Sequence, residues 1–159
     1  MLVKLKVNGD TRSADVPPET TLLKLLREHL LLTGAKLGCD VGDCGTCTVM
    51  VDGESVNSCL MLAGRANGRE VTTIEGLANS EQLHPLQEKF EELGALQCGF
   101  CGPGIIISAK ALLDKNPEPS VFEVRDALAG NLCRCTGYTK IIEAVLDAGR
   151  VMNSAQTKL

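Results

Sequence analysis

Apolar and polar side chains alternate at the start of the chain and then change to helical spacing. VKLKV at 3–7 places an apolar residue at every second position, and Asn8-Gly9 follows as a hairpin turn. A second strand extends to Val16. After Pro17-Pro18, the segment TTLLKLLREHL from Thr20 has the leucine spacing of an amphipathic helix. These patterns predict a β-hairpin followed by one helix.

Two more strand patterns follow a glycine-punctuated loop at 34–47. TVMVDGESV predicts a second hairpin around Asp52-Gly53, and REVTTI at 69–74 predicts a further strand. The loop itself has neither helical nor strand periodicity, which is typical of a binding loop. The first 77 residues therefore predict a small sheet with one helix packed on it.

Beyond a boundary near 76–82 almost every segment has helical spacing or a helix boundary signal. Pro103 suits a first helical turn, and Ser120 to Glu123 has the spacing of a capping box. We predict an α+β protein with two domains, at 1–77 and 78–159, and a frayed tail over the last seven residues. The four predicted helices of the second domain cover 85–93, 103–115, 120–129 and 138–152.

Composition and charge exclude several functional classes. The net charge is −4 and aromatic residues make up 3% of the chain, so neither a basic footprint nor a stacking surface for nucleic acid exists. No apolar run approaches the ~20 residues of a membrane span, and the N-terminus lacks a signal peptide. We therefore expect a soluble, cytoplasmic protein. Because the cytosol keeps thiols reduced, its eight cysteines indicate metal binding rather than disulfides.

The first four cysteines have a recognised cluster spacing. Cys39, Cys44 and Cys47 form C-x4-C-x2-C, and Cys59 follows at a distance, as in plant-type [2Fe–2S] ferredoxins. Glycines at 38, 42 and 45 are expected to take positive φ, so that backbone N–H groups point at sulfur. The alternative is a turn-rich loop whose cysteines are buried only as small apolar residues.

The other four cysteines form two close pairs. QCGFCGPG holds Cys98 and Cys101, and GNLCRCTGY holds Cys133 and Cys135. Each pair precedes a predicted helix, and two helix N-termini with free N–H groups favour a cage of thiolates between them. A thioredoxin-like redox motif is one alternative, although no βαβ pattern surrounds it. A structural zinc site with four thiolate ligands is the other.

Three further polar residues are candidates for a functional role. His29 lies in the leucine-rich helix and His84 at a helix start, where solvated or capping roles fit better than acid–base catalysis. Arg134 lies between two cysteines. It is either a surface residue or a compensating charge for a metal cluster.

These motifs together resemble a known family. GCDVGDCGTC followed by Cys59, then QCGFCGPG and GNLCRCTGY, is similar to the small iron–sulfur subunit of the molybdenum hydroxylases, the xanthine dehydrogenase family. The resemblance covers about residues 2–152. It implies an N-terminal β-grasp ferredoxin domain and a C-terminal four-helix bundle, each holding one [2Fe–2S] cluster. In this pattern Gly102 stands where relatives often have Thr, and Thr46 where they often have Ala.

The resemblance also implies partner subunits and an electron-transfer role. A large subunit would carry the molybdopterin cofactor and the substrate site, and a medium subunit would carry FAD, in a hetero-oligomer such as a dimer of heterotrimers. Gln97 and Cys135 would lie closest to the pterin. Single electrons would pass through the cluster of the helical domain and then the ferredoxin-like cluster to FAD or another acceptor.

Three hypotheses follow from the sequence. The chain is an electron-transfer subunit of a molybdenum hydroxylase, a free redox carrier with two clusters, or a zinc-stapled interaction module without redox activity. Iron content and the presence of partner chains distinguish them.

Overall fold

Among the residues that the structure describes, one mixed sheet of five strands forms the N-terminal half of the protein. The computed structural model describes residues 1–79 and 82–156. The strand order is β2-β1-β5-β3-β4, in which β1 and β5 are parallel and the other neighbours are antiparallel. The strands are β1 (Leu2–Val7), β2 (Asp10–Asp15), β3 (Thr48–Val51), β4 (Glu54–Asn57) and β5 (Glu70–Thr72).

Both predicted hairpins are confirmed. Asn8 and Gly9 have φ of 51° and 89°, and Asp52 and Gly53 have φ of 50° and 83°. Positive φ at both central residues is the geometry of a two-residue turn between twisted strands. The third strand pattern is shorter than predicted, because the Thr73 N–H donates to Asn8 Oδ1 at 2.9 Å instead of continuing the sheet.

The predicted first helix forms but changes its winding. Helix α1 covers Leu22–Lys24, and a π-helical turn continues it over Leu25–His29. The Leu30 N–H donates to the Leu25 carbonyl at 3.0 Å, which is the i→i+5 bond of that turn. The leucines of this segment pack on the sheet with the strand residues Val3, Leu5, Val49, Val51 and Val71.

Within residues 82–156 the C-terminal half consists of four helices, and all four were predicted. They are α2 (Pro85–Glu92), α3 (Gly102–Lys115), α4 (Val121–Ala127) and α5 (Thr139–Gln156). Helix α4 is shorter than predicted. The predicted frayed tail is wrong as far as Gln156, since α5 continues to that residue; residues 157–159, and residues 80 and 81 in the predicted boundary region, lie outside the described residues.

Side-chain caps mark two of these helix starts. The Ser120 and Glu123 side chains form the predicted capping box. At α2 the Leu86 N–H donates to His84 Nδ1 at 3.2 Å, which confirms a capping role for His84. Burial lowers the pKa of His84, so the neutral, accepting imidazole is the favoured form. His29 is exposed to solvent, as expected.

The two halves share a direct contact between helix α3 and strand β3. Met50 packs against Ile107 and Ala111, all of them buried. An exposed ion pair between Lys115 and Glu54, with 2.6 Å between Nζ and Oε2, lies at the same junction. No helix within 1–79 or 82–156 is long and apolar enough to cross a membrane.

Candidate metal centres

The first four cysteines, Cys39, Cys44, Cys47 and Cys59, are called the first set, and the other four the second set. The β3–β4 hairpin brings Cys47 and Cys59 of the first set together. Cys47 immediately precedes β3 and Cys59 follows β4, and the register pairs Thr48 with Asn57. Both sulfurs are buried. Burial first, and then the neighbouring Cys47 thiol, raises the pKa of Cys59 to about 12. This pair thus lies at the base of the glycine-rich loop, between the loop and the sheet.

The remaining cysteines of the first set lie in the loop, where backbone donors face sulfur. Val41 and Cys44 direct their N–H groups at Cys39 Sγ, at 3.5 and 3.4 Å. These bonds, that of Val41 first, lower the pKa of Cys39 to about 7. The loop therefore stabilises a thiolate before any metal is considered.

Glycine conformation in this loop was predicted correctly at two positions out of three. Gly42 and Gly45 have φ of +86° and +68°, but Gly38 does not have positive φ. A Cβ at Gly38 would instead lie 2.8 Å from Cys44 Sγ. Gly38 therefore provides space for a sulfur atom rather than a left-handed turn.

The second set forms where the start of α3 meets the turn before α5. Cys101 is the N-cap of α3 and Cys98 lies in the loop before it. The Cys101 thiol contacts that of Cys133, and the Cys98 thiol contacts that of Cys135. Burial first, and then Cys133, raises the pKa of Cys101 to about 12. The structure thus brings together the two pairs that the sequence separates.

Hydroxyl groups near both sets were not predicted as functional. Thr136 Oγ1 donates to Cys133 Sγ at 3.2 Å, and Thr46 Oγ1 lies 3.2 Å from Cys44 Sγ. The Tyr138 hydroxyl accepts from the Cys133 N–H at 2.7 Å. In the sequence, Thr136 and Tyr138 belong to the GNLCRCTGY motif and Thr46 departs from the family pattern, but none of these signals assigned a role to a hydroxyl.

The eight thiols are free. Their side chains interact as four pairs: Cys39 with Cys44, Cys47 with Cys59, Cys98 with Cys135 and Cys101 with Cys133. Within 1–79 and 82–156, no three His, Cys, Asp or Glu side chains converge closely enough to hold a single metal ion. A tetrahedral zinc site would need four thiolates around one ion. A [2Fe–2S] cluster spreads four ligands over two irons, two on each. Pairing of the thiols favours the second arrangement.

The two sets of cysteines are linked by backbone contact. The Leu132 N–H, next to Cys133, donates to the Cys44 carbonyl at 2.9 Å. A Cβ added at Gly45 would lie 2.2 Å from the Gly130 carbonyl oxygen, and one at Gly104 would lie 2.2 Å from the Gly45 carbonyl oxygen. Backbone at Gly45 therefore lies too close to the Gly130 segment and to the start of α3 for a side chain at these glycines.

The outer edge of the second set is open to solvent. Cys98 and Cys135 are exposed, and Gln97 Nε2 donates to the Cys135 carbonyl at 3.2 Å. Gln97 thus joins the two cysteine segments. Arg134 is also exposed, which agrees with a surface position.

Comparisons with known proteins agree with this architecture. Residues 5–76 match the family described as 2Fe-2S iron-sulfur cluster binding domain, and residues 73–146 match the [2Fe-2S] binding domain family. The small FeS subunit of nicotinate dehydrogenase from Eubacterium barkeri is 51% identical over 143 residues, which cover 90% of this chain and 91% of that subunit. The small subunit of nicotine 6-hydroxylase from Paenarthrobacter nicotinovorans is 51% identical over 152 residues, covering 95% and 92%.

Solved structures show the same relationship. Quinoline 2-oxidoreductase from Pseudomonas putida 86 superposes with a TM-score of 0.94 at 43% identity, covering all of this chain and 98% of the matched chain. Aldehyde oxidoreductase from Desulfovibrio desulfuricans gives 0.93 at 46% identity, covering 96% of this chain but 17% of that one. The chain belongs to the family of small iron–sulfur subunits of the molybdenum hydroxylases, a family of oxidoreductase subunits, with a 2Fe-2S ferredoxin domain followed by a helical [2Fe-2S]-binding domain.

Proposed function

We propose that this chain is the electron-transfer subunit of a molybdenum hydroxylase complex and holds two [2Fe–2S] clusters. It would pass single electrons between the molybdopterin site of a large subunit and FAD, or another acceptor, on a further subunit. The observation that carries the proposal is the grouping of all eight free cysteines into two sets of paired thiols joined by backbone contact. When bound, each cluster supplies reversible one-electron chemistry.

The donor sets fit such clusters. Cys39 with Cys44, and Cys47 with Cys59, would hold the irons of the first cluster. Cys98 with Cys135, and Cys101 with Cys133, would hold those of the second. Buried Cys47 and Cys59 would hold the first cluster, and buried Cys101 the second, on a side shielded from water. In the first set, backbone N–H groups directed at Cys39 Sγ would offset thiolate charge.

Exposed surfaces at the cluster loops support partner subunits. Leu37, Val41 and Leu60 are more than half exposed beside the first set, and Phe100 and Leu132 are exposed beside the second. Several large apolar side chains exposed near the same loop form a surface suited to an interaction site, whereas isolated ones would not. We place the molybdopterin subunit against Gln97 and Cys135, and the flavin subunit on the first loop, in a dimer of heterotrimers within the reducing cytoplasm.

The finer architecture is part of the same proposal. Contacts link α2 with α3, α3 with α4, α4 with α5 and α5 with α2, which supports a closed four-helix bundle. The mixed sheet with α1 and its π-helical continuation packed on it supports a β-grasp arrangement for the first domain. We place the domain boundary between residues 77 and 78.

Isolation of the native protein under anaerobic conditions tests the proposal. We expect two irons and two inorganic sulfides for each of two clusters, two distinct electron paramagnetic resonance signals after reduction, and co-purification with molybdopterin and flavin chains. A coloured protein that elutes alone would instead support a free carrier. A colourless protein containing stoichiometric zinc would support the zinc module.

The Thr136 hydroxyl is expected to raise the reduction potential of the second cluster. Its hydrogen bond to Cys133 Sγ stabilises the more negative, reduced state. Thr136→Val should therefore lower that potential by roughly 40 mV, since one hydrogen bond contributes about 1 kcal/mol. A potentiometric titration followed by electron paramagnetic resonance measures the change for each cluster separately.

Thr136→Ser is the matched control because it keeps the hydroxyl. We expect the serine variant to stay near the wild-type potential and the first cluster to be unchanged in both variants. Equal potentials for the valine and serine variants would show that the hydroxyl does not act on the cluster.

A further inference from the structure

We propose that Asn131 is a positioning residue that holds the two cysteine loops at a fixed separation and thereby sets the coupling between the two clusters. This inference rests on the proposed function, because it requires both clusters to be present. Asn131 is 4% exposed and lies two positions before Cys133 in the C-terminal half. The loop that it contacts is the glycine-rich loop at 34–47 in the N-terminal half, called the first loop.

The Asn131 side-chain amide donates hydrogen bonds to the first loop around the Gly45 carbonyl. Its Nδ2 donates to the Gly45 carbonyl at 3.0 Å and to Thr48 Oγ1 at 3.3 Å. The Thr48 hydroxyl in turn donates to the same Gly45 carbonyl at 2.6 Å. Because Gly45 directly follows Cys44, these bonds hold the backbone beside a proposed ligand of the first cluster.

The backbone of Asn131 is tied equally closely to the second set. The Tyr138 hydroxyl donates to the Asn131 carbonyl at 2.7 Å and accepts from the Cys133 N–H at 2.7 Å. The Leu132 N–H donates to the Cys44 carbonyl at 2.9 Å. A shift of Asn131 would therefore move the segment that carries Cys133.

The contact around this amide leaves no room for adjustment. A Cβ at Gly45 would lie 2.6 Å from Asn131 Nδ2 and 2.2 Å from the Gly130 carbonyl oxygen. The first loop thus approaches both the Asn131 amide and the Gly130 backbone too closely for any side chain at Gly45. The separation of the two loops is set by hydrogen bonds of fixed length, not by deformable apolar packing.

Other contacts keep the two halves together when the amide is removed. Met50 packs on Ile107 and Ala111 in a buried apolar cluster away from the cysteine loops. Loss of the Asn131 amide should therefore loosen the loops locally while the halves stay associated. That combination distinguishes a positioning role from a general contribution to folding.

Asn131→Ala in the cluster-loaded protein tests the inference. We expect hydrogen exchange of the peptide containing Leu132 to become about tenfold faster, because its neighbouring buried bond is lost. We also expect the magnetic splitting between the two reduced clusters to shrink, since this interaction falls with the cube of the distance between the spins. The iron content should be unchanged, and each cluster should keep its own electron paramagnetic resonance signal apart from the splitting.

Asn57→Ala is the matched control. Asn57 Nδ2 also donates to a glycine carbonyl of the first loop, that of Gly42 at 3.0 Å, but it comes from the same half of the chain. This variant should leave the splitting and the exchange at Leu132 unchanged. If Asn131→Ala does not fold, Asn131→Ser, whose hydroxyl is too short to reach Gly45, replaces it.

Unchanged splitting and unchanged Leu132 exchange in the folded Asn131 variant would overturn the inference, as would an equal effect of the Asn57 variant. A preparation without iron would instead contradict the proposed function. In that case the exchange at Leu132 still reports whether Asn131 holds the loops together.

Discussion

Cys101→Ser should remove the second cluster and leave the first one intact. Cys101 is the buried N-cap of α3, and its thiol contacts that of Cys133. The substitution therefore removes one of the two ligands that this pair would supply to an iron of the second cluster. The first set lies on a loop and hairpin that do not contain this residue. Iron analysis should show a loss of roughly half the metal, and one of two electron paramagnetic resonance signals should disappear.

Cys44→Ser is the reciprocal variant. It removes the thiol of a loop cysteine of the first set, whose backbone N–H donates to Cys39 Sγ. We expect it to abolish only the electron paramagnetic resonance signal that remains in Cys101→Ser. The two variants together assign each signal to its set of cysteines. If either substitution removed both clusters while the circular dichroism spectrum stayed native, the division into two sets of four would be wrong.

The second large effect is expected from Gly104→Ala. Alanine within a helix normally stabilises it by about 1 kcal/mol relative to glycine. Here the added Cβ would lie 2.2 Å from the Gly45 carbonyl oxygen and 3.2 Å from Thr46 Cα, both parts of a buried backbone. We expect a net destabilisation of about 3 kcal/mol and a melting temperature about 10 °C lower.

Gly130→Ala provides the control for this variant. Gly130 lies at the same junction, but a Cβ there would meet no atom within 4 Å. Its melting temperature should change by no more than about 2 °C. Comparable melting of both variants in anaerobic differential scanning calorimetry would contradict the close approach of α3 to the first loop.

Local signals predicted much of the fold. Asn8-Gly9 and Asp52-Gly53 form the expected hairpin turns because their φ preferences act within two residues. The Ser120 capping box likewise depends on four consecutive residues. The π-helical turn after Lys24 was not predicted, because leucine spacing does not distinguish it from α-helix and packing on the sheet decides between them.

Part of the candidate site was also readable from the chain. Cys39, Cys44 and Cys47 lie in one loop, so their spacing alone identifies them as candidate metal ligands. Thr136 and Thr46 were not assigned a role, since a hydroxyl near a cysteine in sequence has no fixed orientation toward its sulfur. Their distances to sulfur depend on the path of the folded backbone.

The order of residues alone was enough to predict the two hairpins, the helices of the second half and the grouping of the cysteines by spacing, because turn, capping and periodicity signals act over short segments. The folded chain decided which thiols face each other and where the two loops touch. Asn131 and Gly45 are 86 positions apart, and Cys98 meets Cys135 across the start of two helices. The first contact depends on the packing of α3 on the sheet, and the second on the packing of the helices in the C-terminal half. Both result from burial of apolar surface across the whole chain, which has no counterpart in any short segment.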